Sequence, residues 1–281
     1  MIHLKRNKII KEIKLKITRF FQLIPKFFNR SIRLLSEQFG INFSKFFISF
    51  KNIPRYIRDY LYFKSSYDGN LVIDPYLSDF SEDAGDSVSE YFINDLFLAQ
   101  KVIELNPTKI IDIGSRVDGY VAHIATSRSI EICDIRKLSC NSKNIKYIQM
   151  DITKKINTKY YNYSDFVSSI HAIEHFGLGR YGDEVNEKGM YEGLKNIVLM
   201  LKTNGFLILS IPLGQDTVYF NSHRIVNPYL ILNFMNTLGL EINEFVYLYK
   251  GKIISTNNYE DSFNKILERR YTLGTFIMKK L

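Results

Sequence analysis

From Lys109 onward, short β-branched apolar runs alternate with longer stretches whose apolar residues recur at helical spacing. The runs 109–113, 129–133, 145–149, 165–170, 205–211, 241–248 and 272–279 read as strands, and 118–126, 188–202 and 227–238 read as helices. Strands separated by helices predict a largely parallel sheet covered on both faces. Within the last of these helices, Tyr229, Leu232, Phe234 and Met235 read as core contacts. A further helix is predicted from Ser89 to Leu105, with Phe92, Leu96, Ala99, Val102 and Ile103 on its buried face and Asn106-Pro107 ending it. Residues 66–90 are polar and turn-rich and read as a linker or lid containing one short strand, Leu71-Val72-Ile73. Before them, Ile10, Ile13, Ile17, Phe20 and Ile24 recur at helical spacing among lysines, and Pro25 should end that helix. Phe27, Phe28, Phe46, Phe47 and Phe50 continue the aromatic and basic pattern, which reads either as a membrane-surface or partner-binding element or as a helical cap packed on the core domain with its lysines solvated. The organisation predicted is a basic amphipathic helical extension (1–65), the linker or lid (66–90), and an α/β domain (91–281).

The stretch Lys109 to Tyr120, K-I-I-D-I-G-S-R-V-D-G-Y, has the form strand, glycine turn, helix that opens a doubly wound domain. Glycine at the turn permits positive φ and a close approach of ligand to backbone. In such sheets ligands bind at the carboxyl ends of strands, so the residue ending each strand is informative. Here those residues are acidic: Asp112 within the first, Asp134 after the second, Asp151 after the third. An acid about 20 residues beyond a glycine loop can accept hydrogen bonds from ribose hydroxyls, and one at the third strand end can meet an adenine amino group. Each acid alone is commonly a turn or cap residue. The spaced triple glycine of G-x-G-x-x-G is missing, which disfavours a nicotinamide dinucleotide.

The D-I-G-S loop, the Asp134 and Asp151 strand ends, and S-S-I-H-A-I-E-H at 168–175 resemble the successive motifs of class I S-adenosylmethionine-dependent methyltransferases. K-T-N-G-F-L-I-L-S-I-P at 202–212 is similar to that family's Pro-Gly-Gly turn and fifth strand, with Thr203-Asn204-Gly205 in place of the turn. The resemblance covers about residues 90–281. More narrowly, G-S-R-V-D-G, E-H-F-G-L-G-R-Y-G-D and F-N-S-H-R resemble an uncharacterised methyltransferase-like family linked to bacterial surface-polysaccharide genes. The resemblance implies a Rossmann-like, mostly parallel seven-stranded sheet and S-adenosyl-L-methionine as cofactor. It places Gly114 and Ser115 near the methionine part, Asp134 at the ribose, and Asp151 with Ile152 at the adenine, with Asp112, Arg116 and Ser169 as further cofactor-binding candidates. Arg116 and Val117 stand where many members have small residues.

Methyl transfer from a sulfonium needs an aligned acceptor and, for a hydroxyl, a proton acceptor. His171, His175, Asp183 and His223 are the catalytic candidates, because histidine titrates near neutrality and all four lie in loops beyond predicted strands. Glu174, Arg180, Asp216 and Arg224 are candidates for binding the acceptor, arginine being suited to phosphate or carboxylate. The Glu174-His175 pair also has a purely structural reading. His171-Ala-Ile-Glu174-His175 matches the H-x-x-E-H zinc-protease signature, which requires both histidines on one helix face, whereas here the motif follows a strand directly. A divalent ion held by Glu174, Asp183 or Asp216 is a lesser alternative, and no metal site is predicted.

Charge changes one part of this picture. The 281-residue chain carries +9, but residues 1–65 hold 15 Lys/Arg against Glu12, Glu37 and Asp59, so the remainder is net acidic. The basic character therefore belongs to the extension, which weakens a nucleic-acid reading. No Asn/Asp-Pro-Pro-aromatic loop of base-methylating enzymes follows strand four. Cys133 and Cys140 make neither a disulfide framework nor a zinc cluster. With no apolar run long enough to span a bilayer and no signal-like start, the expected location is cytoplasmic. The leading expectation is a methyltransferase acting on a sugar or small polar acceptor in surface-glycan synthesis. The alternative is a non-catalytic domain of the same fold that docks to a membrane or partner through its basic extension.

Overall fold

The computed structural model describes residues 35–281 apart from 37, 83, 84, 86, 88 and 141. The chain divides between Gly85 and Asp86 into two compact units. The helix expected to end at Pro25 lies outside the described residues.

In the first unit one helix dominates: α1, Phe43–Lys64. Asn42 caps it, its side chain accepting from the Lys45 N–H at 2.9 Å. The strand expected at Leu71-Val72-Ile73 does not form, and Val72 and Ile73 are exposed. Three apolar residues with no partner strand gain nothing from extended geometry.

The second unit is a doubly wound sheet. Its strands are β1 (Ile110–Ile113), β2 (Ile130–Asp134), β3 (Ile145–Gln149), β4 (Ser164–Ile170), β5 (Leu201–Leu213), β8 (Leu240–Tyr249), β9 (Lys252–Thr256) and β10 (Thr272–Lys280). They lie in the order β3-β2-β1-β4-β5-β10-β8-β9. Pairing is parallel from β3 to β5, and β10 runs antiparallel to both β5 and β8. β6 (Thr217–Tyr219) and β7 (His223–Ile225) form a separate hairpin. Helices α2 (Glu90–Leu105) and α3 (Ala122–Ala125) contribute to the core on one face, and α4 (Gly189–Met200), α5 (Pro228–Thr237) and α6 (Tyr259–Leu267) to the core on the other.

All seven predicted strands form, and the sheet has an eighth. The addition, β9, pairs with β8 through a tight turn at Lys250-Gly251, both at positive φ. Asn-Gly would have announced that turn, whereas Lys in the left-handed region does not. Within β5, Asn204 takes φ +65°, beside the shift of register between Ser164 and Phe166 in the pairing with β4. A methyl added to the next residue, Gly205, would stand 2.8 Å from the Asp165 carbonyl.

Alternation along the strands builds both cores. Ile111 and Ile113 pack with Val167, Leu207 and Leu209 on one face, while Ile110 packs with Ile130, Phe166 and Ile208 on the other. The face of α2 differs from expectation. Asn94, Asp95, Leu98, Ala99 and Val102 are buried, while Phe92, Leu96 and Ile103 are exposed. The helix is rotated so that two polar residues point inward, for reasons found in the site. At the far side of the sheet, Phe245, Phe263 and Phe276 pack ring against ring with centroids 4.9 to 5.9 Å apart. Phe276→Ala should cost about 3–5 kcal/mol, read by urea unfolding; a loss below about 1 kcal/mol would show that this cluster does not anchor the sheet.

Candidate functional site

The carboxyl ends of β1 to β4 converge on one edge, and the loop after β1 is its centre. Asp112 points to the α2 face and is fully buried. Its carboxylate accepts from the Ser115 N–H at 3.0 Å, the Ser115 hydroxyl at 2.7 Å and the Ser168 hydroxyl at 2.7 Å. Ser168 is the register partner of Asp112 on β4. The Ser115 hydroxyl in turn accepts from the Ile170 N–H at 2.9 Å, and Ser169 donates to the Ile113 carbonyl at 3.0 Å. Burial pushes the Asp112 carboxyl up to about 6, against the pull of these donors. Asp112, Ser115 and Ser169 are therefore engaged in building the loop. Gly114 turns the chain at φ +73°, where an added methyl would stand 3.0 Å from the Ala172 side chain.

Asp134 ends β2 with its carboxylate at the crevice. Arg136 grips it: the main-chain N–H donates at 2.8 Å, Nε at 3.0 Å and the terminal guanidinium nitrogen at 2.6 Å. The same guanidinium lies 4.2 Å over the Tyr181 ring. Asp151, after β3, accepts from the Thr153 N–H at 3.0 Å and hydroxyl at 2.6 Å, and Ile152 beside it is buried.

After β4, His171 sits at φ +54° with its ring 4.6 Å from that of Tyr91. Asn94 Nδ2, which can only donate, faces His171 Nε2 at 3.3 Å and also donates to Ser210 at 3.2 Å. That pairing makes Nε2 the acceptor, and burial pulls the imidazole down to about 4, so it is neutral. The short 3-10 turn Ile173–His175 follows. His175 Nδ1 donates to the Ser222 carbonyl at 2.6 Å, which leaves Nε2 with its lone pair. Burial and then Arg180 hold His175 at about 4 as well. Glu174 is buried, with one oxygen 3.9 Å from His175 Nε2 and the other, Oε2, without a partner. Burial pushes it up to about 8. His171 and His175 do not share a helix face, so the zinc-protease spacing lacks its geometry. Among the described residues no three His, Cys, Asp or Glu are grouped to hold a metal ion.

The other candidates divide by exposure. Asp183 accepts from the N–H groups of Gly177, Gly179 and Tyr181, shaping the 177–183 loop. Arg224 is buried and donates to the Phe176 carbonyl at 2.5 Å and the Glu174 carbonyl at 3.4 Å. Arg224 thus holds the turn that carries Glu174 and His175, and Asp183 the loop after it. Arg180 donates to the Ser222 carbonyl at 2.9 Å. His223 stacks on Tyr219 with centroids 5.0 Å apart, on the β6–β7 hairpin. Asp216 accepts from the Asn227 N–H at 3.4 Å at the base of that hairpin. Arg116 is exposed, pairs with Asp118 through two hydrogen bonds at 3.1 and 2.7 Å, and lies 5.8 Å over Tyr91.

Several residues of the site have no counterpart in the sequence reading. Tyr91, Asn94 and Asp95 come from α2, and a cavity of about 10 Å³ is lined by Tyr91, Asp95, Ser115, Arg116, Tyr120, Ile170 and His171. That is room for about one water. Asp95 is buried and pushed up to about 6 by desolvation, and a methyl on Gly119 would overlap its carboxylate. A polar Asn94-Asp95 pair on an otherwise amphipathic helix was the available signal. Arg136, only two residues beyond Asp134, was the other.

No curated protein matches the chain. Among solved structures, it is similar to the Burkholderia thailandensis 1,6-didemethyltoxoflavin-N1-methyltransferase with bound 1,6-didemethyltoxoflavin and S-adenosylhomocysteine, at 10% identity and TM-score 0.48 over 81% of this chain and 90% of that one. It is also similar to the N-methyltransferase NodS from Bradyrhizobium japonicum in complex with S-adenosyl-L-homocysteine, at 11% identity and TM-score 0.43 over 70% and 93%. A third, the [4+2]-cyclase SpnF, matches at 10% identity and TM-score 0.47 over 66% and 80%. Such distant likenesses do not speak to activity. The family described as Caenorhabditis protein of unknown function, DUF268, matches residues 124–281, more than half of the chain, and the chain belongs to that family.

Proposed function

We propose that the second unit is an S-adenosylmethionine-dependent methyltransferase. The observation that supports this best is the set of strand ends on neighbouring strands: Gly114 at a ligand-permissive turn, Asp134 next to it, and Asp151 beyond. The donor set fits the cofactor. Asp134 presents a carboxylate suited to ribose hydroxyls, at present satisfied by a guanidinium that offers the same kind of donors. Gly114 leaves the backbone open to the methionine part, and Asp151 with Ile152 offers a polar and an apolar surface to adenine. The cofactor supplies an electrophilic methyl group on a sulfonium.

The chain's own residues then handle the acceptor. A hydroxyl must give up its proton as it is methylated. At about 4, the imidazole of His175 is a weak base, whereas Glu174 at about 8 has a proton affinity matched to the task. Glu174 is the proton acceptor in this reading, with His175, held by the Ser222 carbonyl, 3.9 Å from it. Tyr219, Phe220 and Tyr181 offer exposed or half-exposed ring faces around this point, and Arg180 and His223 offer polar groups beside them. Flat aromatic faces next to hydrogen-bonding groups suit a sugar, which supports O-methylation of a glycan or similar polar acceptor, in surface-glycan synthesis.

Calorimetry with S-adenosylhomocysteine tests the cofactor assignment. Wild type should bind; Asp134→Ala should weaken binding roughly tenfold or more, since a charged hydrogen-bond acceptor is lost. Arg136→Ala should bind as well as wild type or better, because it removes the competing guanidinium. Equal affinity in wild type and Asp134→Ala would overturn the reading.

Two measurements on Glu174→Gln test the proton acceptor. Turnover should fall by roughly 10²–10⁴-fold with cofactor affinity retained, and wild-type kcat should rise with pH through about 8. Stability gives a second readout that needs no substrate. The folded pKa of Glu174 lies above its unfolded value of about 4.5, so the wild type is penalised progressively as pH rises from about 4.5 to about 8. Glu174→Gln should therefore match wild type at low pH and exceed it by on the order of a few kcal/mol at pH 8.5. Parallel stability profiles from urea unfolding would show that Glu174 is not desolvated as described.

A further inference from the structure

The helix α1 of the first unit has an apolar stripe that no described residue of that unit covers. Phe43, Phe46, Phe47, Phe50, Ile57 and Leu61 fall on one side at the spacing of a helix of about 3.6 residues per turn. Phe46, Phe47 and Phe50 are 63%, 66% and 67% exposed, values usual for lysine and not for phenylalanine. The helix turns a different side to its neighbouring segment. Asn52 donates to the Leu77 carbonyl at 2.8 Å, Arg55 lies 4.1 Å over the Phe80 ring, and Lys45 pairs with Glu82 at 3.8 Å. The polar side is thus the one packed within the unit, and the Phe side faces out. Lys51 and Arg58 border the stripe and Lys64 closes its end, while Asp59 is the only acid in the helix.

Charge decides among the possible occupants. Residues 1–34 are themselves strongly basic, with ten Lys/Arg against Glu12, so folding them onto α1 would bring like charges together. A second copy laid along the stripe meets the same repulsion. An anionic lipid surface complements both the apolar stripe and its basic margin. No helix among the described residues is long and apolar enough to cross a membrane, so the mode is one of lying on the surface. We propose that α1 binds an anionic membrane surface, with its Phe stripe in the boundary between headgroups and acyl chains and Lys51, Arg58 and Lys64 among the lipid phosphates. This stands apart from the methyltransferase reading, which concerns the other unit.

Flotation of the full chain with vesicles of phosphatidylcholine alone, or phosphatidylcholine mixed with phosphatidylserine, tests it. The chain should float with the anionic vesicles, weakly with neutral ones, and less at high salt. Phe47→Glu with Phe50→Glu should abolish flotation. Lys51→Glu, Arg58→Glu and Lys64→Glu together should weaken partitioning by on the order of a hundredfold or more, from about fivefold for each basic group removed. Both variants should bind S-adenosylhomocysteine as wild type does, which separates a failure here from a failure of the cofactor assignment. Three results overturn the proposal: equal flotation of wild type and the Phe47/Phe50 variant, equal binding to neutral and anionic vesicles, or no flotation together with a solution dimer that the Phe47/Phe50 variant dissociates. The salt and lipid dependence of the unmodified chain decides the matter even if a variant fails to fold.

Discussion

The structure of the site depends on one buried carboxylate. Asp112 receives three hydrogen bonds, two from Ser115 and one from Ser168, in a place with no access to water. A carboxylate there is costly unless its lone pairs are met, and removing its donors would leave that cost unopposed. The geometry follows from it. Ser115 can reach Asp112 only if the chain turns sharply at Gly114, and Ser168 can reach it because β4 runs parallel beside β1 in register. The Ser115 hydroxyl then passes the constraint on to the Ile170 N–H, one residue before the turn that carries the histidines. A single acid thus fixes the β1 loop, the end of β4 and the start of the His171–His175 segment relative to one another.

The same desolvation sets the electrostatics further along. His171 and His175 are neutral because the imidazolium form would be buried, and Glu174 holds its proton for the matching reason. In a hydrated loop these groups would carry their ordinary charges at pH 7 and be unremarkable. Asn94 is drawn inward because His171 and Ser210 offer it partners, and this turns α2 away from the orientation its apolar residues alone would choose. Polar satisfaction wins over burial of Phe92 and Leu96 here, consistent with the larger cost of an unpaired buried amide than of an exposed apolar ring.

How far the sequence could be read follows from which of these effects is local. Strand periodicity, the Gly114 turn and the acids after β2 and β3 are local, and the parallel sheet with its strand ends was legible from them. Rotation of α2 was not, because it depends on His171, which lies 77 residues away from Asn94. The β9 strand was hidden by a Lys-Gly turn, and the polar stretch around Val72 took on a strand reading that no partner supports. Asp183 and Arg224 illustrate a second limit. Both are charged and lie near the histidines in sequence, yet their charges are spent on backbone groups, Arg224 on the turn that holds Glu174 and Asp183 on the loop that follows it. Residue type and position suggested chemistry there, whereas only the hydrogen-bond geometry distinguishes holding a loop from meeting a ligand.

The strand ends gather negative groups whose field nearby cations offset. Asp112, Asp134 and Asp151 all raise the Cys133 thiol, pushed up to about 12 with burial as the largest cause, so their fields overlap at the strand ends. Arg136 relieves that field by closing on Asp134, and Arg116 stands over the neighbouring cavity. A ligand carrying both a positive centre and hydroxyl donors can exchange with Arg136 without leaving Asp134 unpaired, whereas a purely anionic ligand would add to the repulsion. Arg136 also faces the Tyr181 ring, which Arg180 faces too at 5.2 Å, and Tyr181 packs edge-on against His175 at 5.6 Å. Asp134 and His175 are thereby connected through Arg136 and the Tyr181 ring. That linkage gives the arginine two residues after Asp134 a physical reason to be there.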